Sequence, residues 1–269
     1  MKFILQKMFK KIGIIGAKNN ETALQKKDIL LKKYNFIDLT FSHENNHQCD
    51  LIIAIGGDGL MLHLLHELQH NSVPIYGINC GTVGFLMNSY RQDDLIEAIH
   101  NAEVSSINPL KMIATDIFNQ THCHFAINEV AVLRQTNQAS KILIEVNGKE
   151  RLECLTADGI LVATSAGSTA YNFSAGGPII PFGAKILAMT PISPFRPRKW
   201  NGALLPSHSL IKFKILENHH RPVSATADSK EVRDITEVEI SQDLSKEFKI
   251  LFDSDHSLEE RIIREQFAN

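Results

Sequence analysis

The first hundred residues alternate between short apolar runs and stretches with a helical pattern. KIGIIGA (11–17), DLIIAIGG (50–57) and VPIYGINC (73–80) are nearly continuous apolar runs, which are typical of strands covered on both faces. Between them, residues 20–33 are polar and helix-compatible, and from Leu60 onward leucines recur at helical spacing. Strands and helices that alternate in this way predict a parallel sheet.

The pattern changes after about residue 105, where strand-like runs follow one another with few helical stretches between them. These runs are FAINEVAVLR, KILIEVNGKE, RLECL, GILVAT, SLIKFKIL and DITEVEIS. Asn147-Gly148, between two such runs, predicts a tight hairpin turn. We therefore predict an α/β N-terminal domain with a parallel sheet over 1–105 and a mainly antiparallel β domain over 106–255. A C-terminal helix over 256–269 is expected to pack back on the first domain.

Composition narrows the class of protein further. Of 269 residues, 43% are hydrophobic and 22% are charged, which is ordinary for a globular chain. A net charge of −2 and a pI of about 6.6 give no general attraction to nucleic acid or to an anionic membrane. No apolar stretch approaches the roughly 20 residues that span a bilayer, the first residues lack a signal-peptide pattern, and the four cysteines form no CxxC pair. We predict a cytoplasmic protein that binds neither nucleic acid nor membranes.

The second apolar run ends in Gly-Gly-Asp-Gly, residues 56–59, immediately before the leucine-rich helix. Glycine lets the backbone bend sharply and lets a ligand approach closely. The carboxyl ends of parallel strands are where open α/β sheets bind ligands, and a helix that starts there directs N–H groups at anions such as phosphate. Asp58 is then a general base, a metal ligand or a helix cap, and this motif alone leaves all three open.

Two further segments point to a polar ligand. TADGILVATSAGSTAYNFSAGGPII (156–180) concentrates small residues, hydroxyls and glycines around Tyr171, which a packed core does not need. In INEVAV (127–132), Asn128 and Glu129 interrupt an otherwise apolar strand. Buried polar groups need partners, and these two have to find theirs in the fold or in a ligand.

Together, GGDG, INEVAV and ADGILVATSAGSTAYNFSAGGPII resemble the NAD kinase family. GTVGFLMN (81–88) and MTPISPFRPR (189–198) extend the similarity, which covers about residues 11–250. Lipid kinases and phosphofructokinases carry loops related to GGDG, but the order and spacing of the three motifs are those of NAD kinases. The resemblance implies a phosphotransferase that moves the γ-phosphate of ATP, or of a related donor such as polyphosphate, to the 2′-hydroxyl of the adenosine ribose of NAD, giving NADP.

The resemblance also implies roles for individual residues. Asp58 takes the proton of the attacking hydroxyl as general base, and a divalent cation, Mg²⁺ by expectation, neutralises the triphosphate. Gly57 and Gly59 leave space for the backbone beside the phosphates. The remaining matches concern NAD: Asn128 and Glu129 hold ribose hydroxyls and amide groups, Asp158 lies near the nicotinamide end, and the adenine pocket is lined by Phe85, Thr169, Ala170, Tyr171 and Ser174.

Three positions depart from the family pattern. Leu60 stands where many relatives have threonine, which removes a hydroxyl near the phosphates. His63 stands where relatives often have arginine, and an imidazole is the weaker phosphate partner. In SATADSKEV, Asp228-Ser229-Lys230 stands where many relatives have Asp-Gly-Gln or Asp-His, and Asp228 is still expected to face the substrate. His63, His66 and His70 have the spacing of metal ligands, but a solvated helix face is the favoured interpretation.

Other classes of protein fit less well. A lipid kinase shares GGDG, yet TAYNFSAGGP and the lack of a membrane-docking segment argue against it. A non-catalytic dinucleotide sensor is kept open by Leu60 and opposed by Asp58. GIIGAK is not the GxGxxG of dehydrogenases, and no GxxxxGK[ST] of P-loop kinases is present. The partners implied are NAD, ATP or polyphosphate, and further copies of the same chain in a dimer or tetramer.

Overall fold

The structure is a computed structural model that describes residues 9–41, 49–68, 73–81 and 84–253. The described residues divide into two compact units, one formed by 9–107 with 247–253 and the other by 108–246. The C-terminal helix expected over 256–269 lies outside the described residues. The strands are β1 Ile12–Gly16, β2 Ile37–Asp38, β3 Leu51–Gly56, β4 Ile75–Asn79, β5 Glu103–Ile107, β6 Leu110–Asp116, β7 Thr121–Ala126, β8 Glu129–Arg134, β9 Ser140–Val146, β10 Lys149–Ala157, β11 Gly159–Ala163, β12 Ile186–Ile192, β13 Ala203–Pro206, β14 Ile211–Leu216, β15 Val223–Ala227, β16 Lys230–Val232, β17 Ile235–Gln242 and β18 Phe248–Phe252. The helices are α1 Glu21–Lys33, α2 Asp58–Glu67, α3 Leu95–Asn101 and α4 Tyr171–Ser174, with a 3₁₀ turn at Gly167–Thr169.

The first unit is built on a six-stranded sheet with the order β2-β1-β3-β4-β18-β5. The pairs among β2, β1, β3, β4 and β18 are parallel, and only the β18–β5 pair is antiparallel. Every residue of β1 and of β3 is buried, as expected for strands with helices on both faces. Because β1 is followed by β2 on one side and by β3 on the other, the strand order reverses between β1 and β3. Ligands bind at such a point in open α/β sheets.

The helices of this unit begin where the sequence supplies the right residues. At α1 the side chain of Asn20 accepts a hydrogen bond from the Ala23 amide at 3.0 Å, and Lys32 and Lys33 complement the negative end of the helix. One face of the sheet packs against α1 and α3 in a cluster that includes Leu30, Leu95 and the odd-numbered residues of β3. The α2 helix covers the other face through Met61, Leu64 and Leu65.

The second unit is a sandwich of two antiparallel six-stranded sheets. One has the order β10-β9-β14-β17-β6-β7 and the other β13-β12-β11-β8-β15-β16. Alternate residues of both sheets, as in β6 and β9, enter one shared hydrophobic core. The hairpin predicted at Asn147-Gly148 joins β9 to β10, and both turn residues have left-handed φ angles of 54° and 71°. The predicted fold class is confirmed.

Two runs of sequence are divided differently from their pattern. FAINEVAVLR reads as one strand but forms the end of β7 and the whole of β8, which belong to different sheets. The chain crosses from one sheet to the other at Ile127–Asn128, and the apolar pattern continues through the crossing because both sheets face the same core. The strand β18 falls within the range predicted for the second domain, 106–255. In the structure it pairs with β4 and β5 in the sheet of the first unit.

Candidate active site

Asp58 is the first residue of α2, two positions after the end of β3. It therefore lies at the carboxyl edge of the parallel sheet, beside the point where the strand order reverses. The N-cap of the helix is Gly57, so the interpretation of Asp58 as the cap residue is wrong. At the first position of a helix, a carboxylate lies in the positive field of the helix N-terminus, and so would a phosphate group nearby.

The carboxylate of Asp58 is held by the loop that follows β4. Oδ2 accepts a hydrogen bond from the Phe85 amide at 2.8 Å, and Oδ1 accepts one from the Leu86 amide at 3.0 Å. These bonds to both carboxylate oxygens fix the orientation of the Asp58 side chain. Sequence reasoning linked Phe85 to an adenine base through its ring, whereas the observed contact to Asp58 is made by its backbone.

The glycines around Asp58 differ in what surrounds them. A Cβ atom added at Gly56 would lie 2.9 Å from Leu60 Cδ2 and 3.2 Å from the Cβ of Ala17, so internal packing requires glycine there. At Gly57 and Gly59 an added Cβ would meet no described atom within 4 Å, and neither residue has a left-handed φ. Packing and backbone geometry in the described chain therefore explain Gly56 but not Gly57 or Gly59. Gly57 is the N-cap of α2, a position that favours glycine, and close approach of a ligand is a further physical reason for glycine at both positions.

The loop that holds Asp58 is anchored by Asn88, whose side chain is buried. Its backbone pairs with Gly77 and Asn79 of β4, its Nδ2 donates to the Leu251 carbonyl at 2.8 Å, and its Oδ1 accepts from the Asp253 amide at 3.0 Å. The last strand of the unit thus fixes the loop that fixes Asp58. Sequence reasoning missed Asn88, although an asparagine that ends a glycine-rich loop was a signal.

In the second unit, the carboxylate of Asp228 organises the crossing between β7 and β8. It accepts hydrogen bonds from the amides of Ile127 at 2.7 Å, Asn128 at 3.0 Å and Glu129 at 3.3 Å. Asp228 lies in the turn between β15 and β16 with a left-handed φ of 49°. The sequence analysis expected Asp228 to face the substrate, and its observed contacts are to backbone amides.

Glu129 carries a buried oxygen, Oε2, that has no hydrogen-bond partner in the described part of the chain. Burial, and after it the negative charge of Asp228, raise the pKa of the Glu129 carboxyl to about 7. A buried carboxyl oxygen without a partner is costly in the isolated protein and is well suited to accept a hydrogen bond from a ligand hydroxyl. This matches the sequence-based expectation that Asn128 and Glu129 need partners.

The glycine- and serine-rich segment after β11 is fastened to the same crossing. Thr164 Oγ1 donates to the Ile127 carbonyl at 2.7 Å, and the Thr164 amide donates to the Asn128 carbonyl at 2.9 Å. A Cβ atom at Gly167 would lie 2.2 Å from the Asn128 carbonyl oxygen, so only glycine permits this approach. The motifs INEVAV and TSAGSTAY, which begin at residues 127 and 164, thus lie against each other in the second unit.

Buried polar side chains hold the rest of this segment. Asn172 Nδ2 donates to the carbonyls of Ser168 and Pro178, and Asn172 Oδ1 accepts from Thr190 Oγ1 at 2.7 Å. Ser168 Oγ accepts from the Ile180 amide at 3.0 Å. Asn172 and Ser168 hold the segment together through internal hydrogen bonds. The sequence pattern does not distinguish such structural polar residues from polar residues that would contact a ligand.

The predicted adenine-pocket residues lie on and beside α4. Tyr171 packs against Ala131, Leu161 and Ala163, and its pKa is raised by burial and by the negative charges of Glu129 and Asp158. Tyr171 therefore lies on the same side of the third sheet as these two carboxyl groups. The other predicted residues of the pocket are Thr169 and Ala170, which are half-buried, and Ser174, which is exposed.

Asp158 forms an ion pair that the sequence did not reveal. Its Oδ1 accepts from Arg134 Nε at 2.7 Å, and the Arg134 amide donates to the Asp158 carbonyl at 2.9 Å. Both side chains are partly exposed, so Asp158 keeps acceptor capacity toward solvent or a ligand. The sequence signal for this pair was Arg134 itself, a cationic residue at the end of the apolar run that forms β8.

The predicted role of His63 is not visible in its contacts. Its side chain is 64% exposed, and Nε2 lies 3.2 Å from Glu67 Oε1 one helical turn further along α2. His70 lies outside the described residues. Within 9–41, 49–68, 73–81 and 84–253, no group of three or more His, Cys, Asp or Glu side chains has the arrangement of a metal site. None of the helices in those ranges is long and apolar enough to cross a bilayer.

Solved kinase structures share this fold. The chain superposes on an NAD kinase from Archaeoglobus fulgidus, solved in complex with ATP, with a TM-score of 0.75 and 26% identity, over 96% of this chain and 97% of that one. It also superposes on the yeast NADH kinase, solved with NADH, with a TM-score of 0.81 over 97% of this chain and 88% of that one, and at 21% identity this likeness concerns the fold alone. The class defined by the fold is that of the nicotinamide-dinucleotide kinases.

Sequence comparison gives the family. Residues 7–103 match the model of the ATP-NAD kinase N-terminal domain, and residues 127–251 match that of the ATP-NAD kinase C-terminal domain. The NAD kinase of Caulobacter vibrioides is 55% identical over 218 residues, 81% of this chain and 84% of its own length. That of Cereibacter sphaeroides is 47% identical over 258 residues, 96% of this chain and 98% of its own. The chain belongs to the NAD kinase family, phosphotransferases that phosphorylate NAD, and the activity predicted from the sequence is confirmed.

Proposed function

We propose that Asp58 is the general base of this NAD kinase and that the group it deprotonates is the 2′-hydroxyl of the adenosine ribose. The phosphate donor is ATP or a related donor such as polyphosphate. The observation that carries the proposal is the setting of Asp58, which lies at the carboxyl edge of the sheet between two glycines whose environment is open.

The reaction needs a proton acceptor, a fixed acceptor hydroxyl and stabilisation of phosphate charge. Asp58 supplies the first, since hydrogen bonds from the Phe85 and Leu86 amides hold the carboxylate in a fixed orientation at the carboxyl edge of the sheet. The hydroxyl oxygen then attacks the γ-phosphorus in line with the leaving oxygen of the donor. Amides at the start of α2 lie where they favour the negative charge of the phosphates. General-base help of this kind is worth about 10²–10⁴ in rate.

NAD is held, in this proposal, mainly by the crossing segment of the second unit. The unpartnered Glu129 Oε2 accepts a hydrogen bond from a ribose hydroxyl, and Asn128 beside it contributes its amide group. Asp158, held by Arg134, contacts the nicotinamide end. The adenine pocket is lined, within the second unit, by the side chains of Thr169, Ala170, Tyr171 and Ser174.

A divalent cation fits this site as a companion of the phosphates. Mg²⁺ usually keeps several waters and binds one or two carboxylates together with substrate phosphates, so it does not need a protein cage. The described residues contain no group of three or more His, Cys, Asp or Glu side chains arranged as a metal site, so the cation would be held chiefly by the donor phosphates and by water. Bound there, Mg²⁺ would neutralise the negative charge of the donor phosphates. His63 at the exposed end of the same helix is proposed as a weak phosphate contact.

The test is NADP formation by Asp58→Asn with NAD, ATP and Mg²⁺. We expect kcat to fall by about 10²-fold or more, with NAD still bound, because asparagine keeps the size of the side chain and removes its basicity. Asp50→Asn is the matched control. The Asp50 carboxylate lies just before β3 and also accepts hydrogen bonds from two backbone amides, those of Lys10 and Lys11 at 3.0 and 3.1 Å. Near-normal turnover by Asp58→Asn, or an equal loss in Asp50→Asn, would contradict the role of Asp58.

We also propose that the protein works in the cytoplasm as a homo-oligomer. Leu204, on the outermost strand β13 of the third sheet, is 55% exposed, and Ile186 on the adjacent strand is 36% exposed. Apolar side chains at an open sheet edge favour contact with a second copy of the chain.

A further inference from the structure

The amides of Ile127, Asn128 and Glu129 lie where the chain crosses from one sheet to the other. They therefore need hydrogen-bond partners outside the regular strand pairing. β7 ends at Ala126 in one sheet and β8 begins at Glu129 in the other, so the residues between them leave one ladder before entering the next. The carbonyl groups of Ile127 and Asn128 accept hydrogen bonds from Thr164. The N–H groups of all three residues point to the carboxylate of Asp228, at 2.7 to 3.3 Å. Hydrogen bonds to an ionised acceptor are about twice as strong as neutral ones.

The Asp228 backbone adds a further hydrogen bond between the β15–β16 turn and the start of β8. Its amide donates back to the Glu129 carbonyl at 3.2 Å, and its φ of 49° is an angle that only glycine, asparagine and aspartate adopt readily. The side chain is therefore fixed from both ends. Because Glu129 starts β8 at this point, the direction in which its carboxyl group leaves the backbone depends on Asp228.

Asp228 also places a negative charge beside a carboxyl group that must itself be ionised to accept hydrogen bonds well. The titratable groups near Glu129 in the described structure are Asp228 from the β15–β16 turn, the neutral Tyr171 from α4, and Asp158, which is paired with Arg134. Of these, Asp228 acts directly on Glu129 and its charge opposes ionisation there.

We infer that Asp228 is a positioning residue for NAD: its carboxylate, bonded to three consecutive backbone amides, holds the Ile127–Glu129 backbone in the form that presents Glu129 to the ribose. The inference rests on the proposed role of Glu129 in holding NAD. It means that NAD binding releases a proton near neutral pH, because the ribose is bound by the ionised form of a carboxyl group that is partly protonated in the ligand-free enzyme.

Two variants separate the two effects of Asp228. Asp228→Asn keeps the left-handed backbone and the reach of the side chain, removes the charge, and replaces one of the two acceptor oxygens by a donor. Asp228→Glu keeps the charge but lengthens the side chain, so the three amides are no longer matched. The control is Asp234→Asn, since Asp234 has a similar left-handed φ of 53° and its carbonyl accepts a hydrogen bond from Ile117 at another turn of the unit.

The measurement is calorimetric titration of each whole enzyme with NAD, without phosphate donor, between pH 5.5 and 8.5. Buffers of different ionisation heat count the protons released. For the unmodified enzyme we expect NAD affinity to fall as the pH is lowered below about 7, with proton release on binding at pH 7. Asp228→Asn is expected to bind NAD roughly tenfold more weakly at pH 8.5 and to shift the fall to lower pH. Asp228→Glu is expected to weaken binding without that shift, and Asp234→Asn to change neither.

The outcomes distinguish this inference from the function on which it rests. If Glu129→Gln leaves both NAD affinity and proton release unchanged, the proposed role of Glu129 is wrong. If Glu129→Gln abolishes proton release but both Asp228 variants bind NAD with the affinity and pH dependence of the unmodified enzyme, Asp228 is not a positioning residue. A uniform loss of affinity in Asp228→Asn, with the pH dependence unmoved, would contradict the action of the Asp228 charge on Glu129. Circular dichroism verifies folding, and Asp228→Glu tests the positioning if Asp228→Asn does not fold.

Discussion

At the scale of single residues, the same contact recurs in both units: an aspartate carboxylate accepts hydrogen bonds from backbone amides. Asp58 accepts two amides and Asp228 accepts three, and in each case the contact lies in a different motif from the aspartate itself. The sequence motifs identified which carboxylates matter. They did not reveal that Asp228 contacts Ile127–Glu129, about a hundred residues earlier, because nothing local to either segment encodes that pairing.

Glu129 gives a prediction about stability that does not depend on catalysis. Its folded-state pKa of about 7 lies above the ordinary value of 4.5, so its contribution is fully present below pH 4.5 and is lost as the pH rises through 7. Glu129→Gln does not titrate. We therefore expect the ligand-free variant to exceed the unmodified protein in free energy of unfolding by about 2 kcal/mol at pH 8 and by little at pH 5.

Urea unfolding at several pH values measures this difference. Glu145→Gln is the control, since Glu145 in the same unit is paired with Lys214 rather than left without a partner. The control is expected to lose up to about 1 kcal/mol and to gain nothing as the pH rises. A Glu129→Gln variant that is less stable at pH 8 than at pH 5, relative to the unmodified protein, would show that the Glu129 carboxyl is not destabilised by burial.

At the scale of elements, a substitution at the start of α2 is expected to change stability and activity in opposite directions. Gly59 is the second residue of this helix, is exposed, and has open space where a Cβ would be. Gly59→Ala should therefore stabilise the helix, by about 0.5 kcal/mol, because alanine loses less backbone freedom. The same methyl group would occupy space needed by the phosphates, so kcat/KM is expected to fall roughly tenfold or more.

Gly167→Ala provides the contrast to this variant. Its Cβ would overlap the Asn128 backbone, so both stability and activity are expected to fall. Thermal unfolding together with NADP formation compares the two. Gly59→Ala with unchanged kcat/KM would mean that the open space at the GGDG loop is not used by a substrate.

The elements also mark how far sequence patterns reach. β1, β3 and β4 were predictable because a strand buried on both faces is a continuous apolar run, and α2 because its leucines recur at helical spacing. The break between β7 and β8 was not, since the apolar alternation runs through it. The assignment of β18 to the first sheet depends on pairing with strands about 145 to 175 residues earlier, which periodicity cannot encode.

At the scale of the whole molecule, self-association is the prediction to test. One chain has a mass of 30.1 kDa, and light scattering of the purified protein should give a multiple of it. Leu204→Glu at the outer edge of the third sheet is expected to reduce that mass, because a charge at an apolar contact is costly to bury. Phe118→Glu is the control, since Phe118 is 76% exposed in the turn after β6 and lies at no sheet edge. A monomer in the unmodified protein, or equal effects of both variants, would contradict this.

The path of the chain also has a consequence for how the enzyme is made. The first unit is interrupted after residue 107 and resumes at 247, and its loop 84–88 is anchored by hydrogen bonds between Asn88 and residues 251–253. A ribosome delivers residues in order, so most of the first sheet emerges long before the strand that joins β4 to β5. The inserted sandwich is complete first, reversing the usual order in which domains fold during synthesis. The setting of Asp58 is then among the last parts to form, and a nascent chain is expected to phosphorylate no NAD until β18 has left the ribosome.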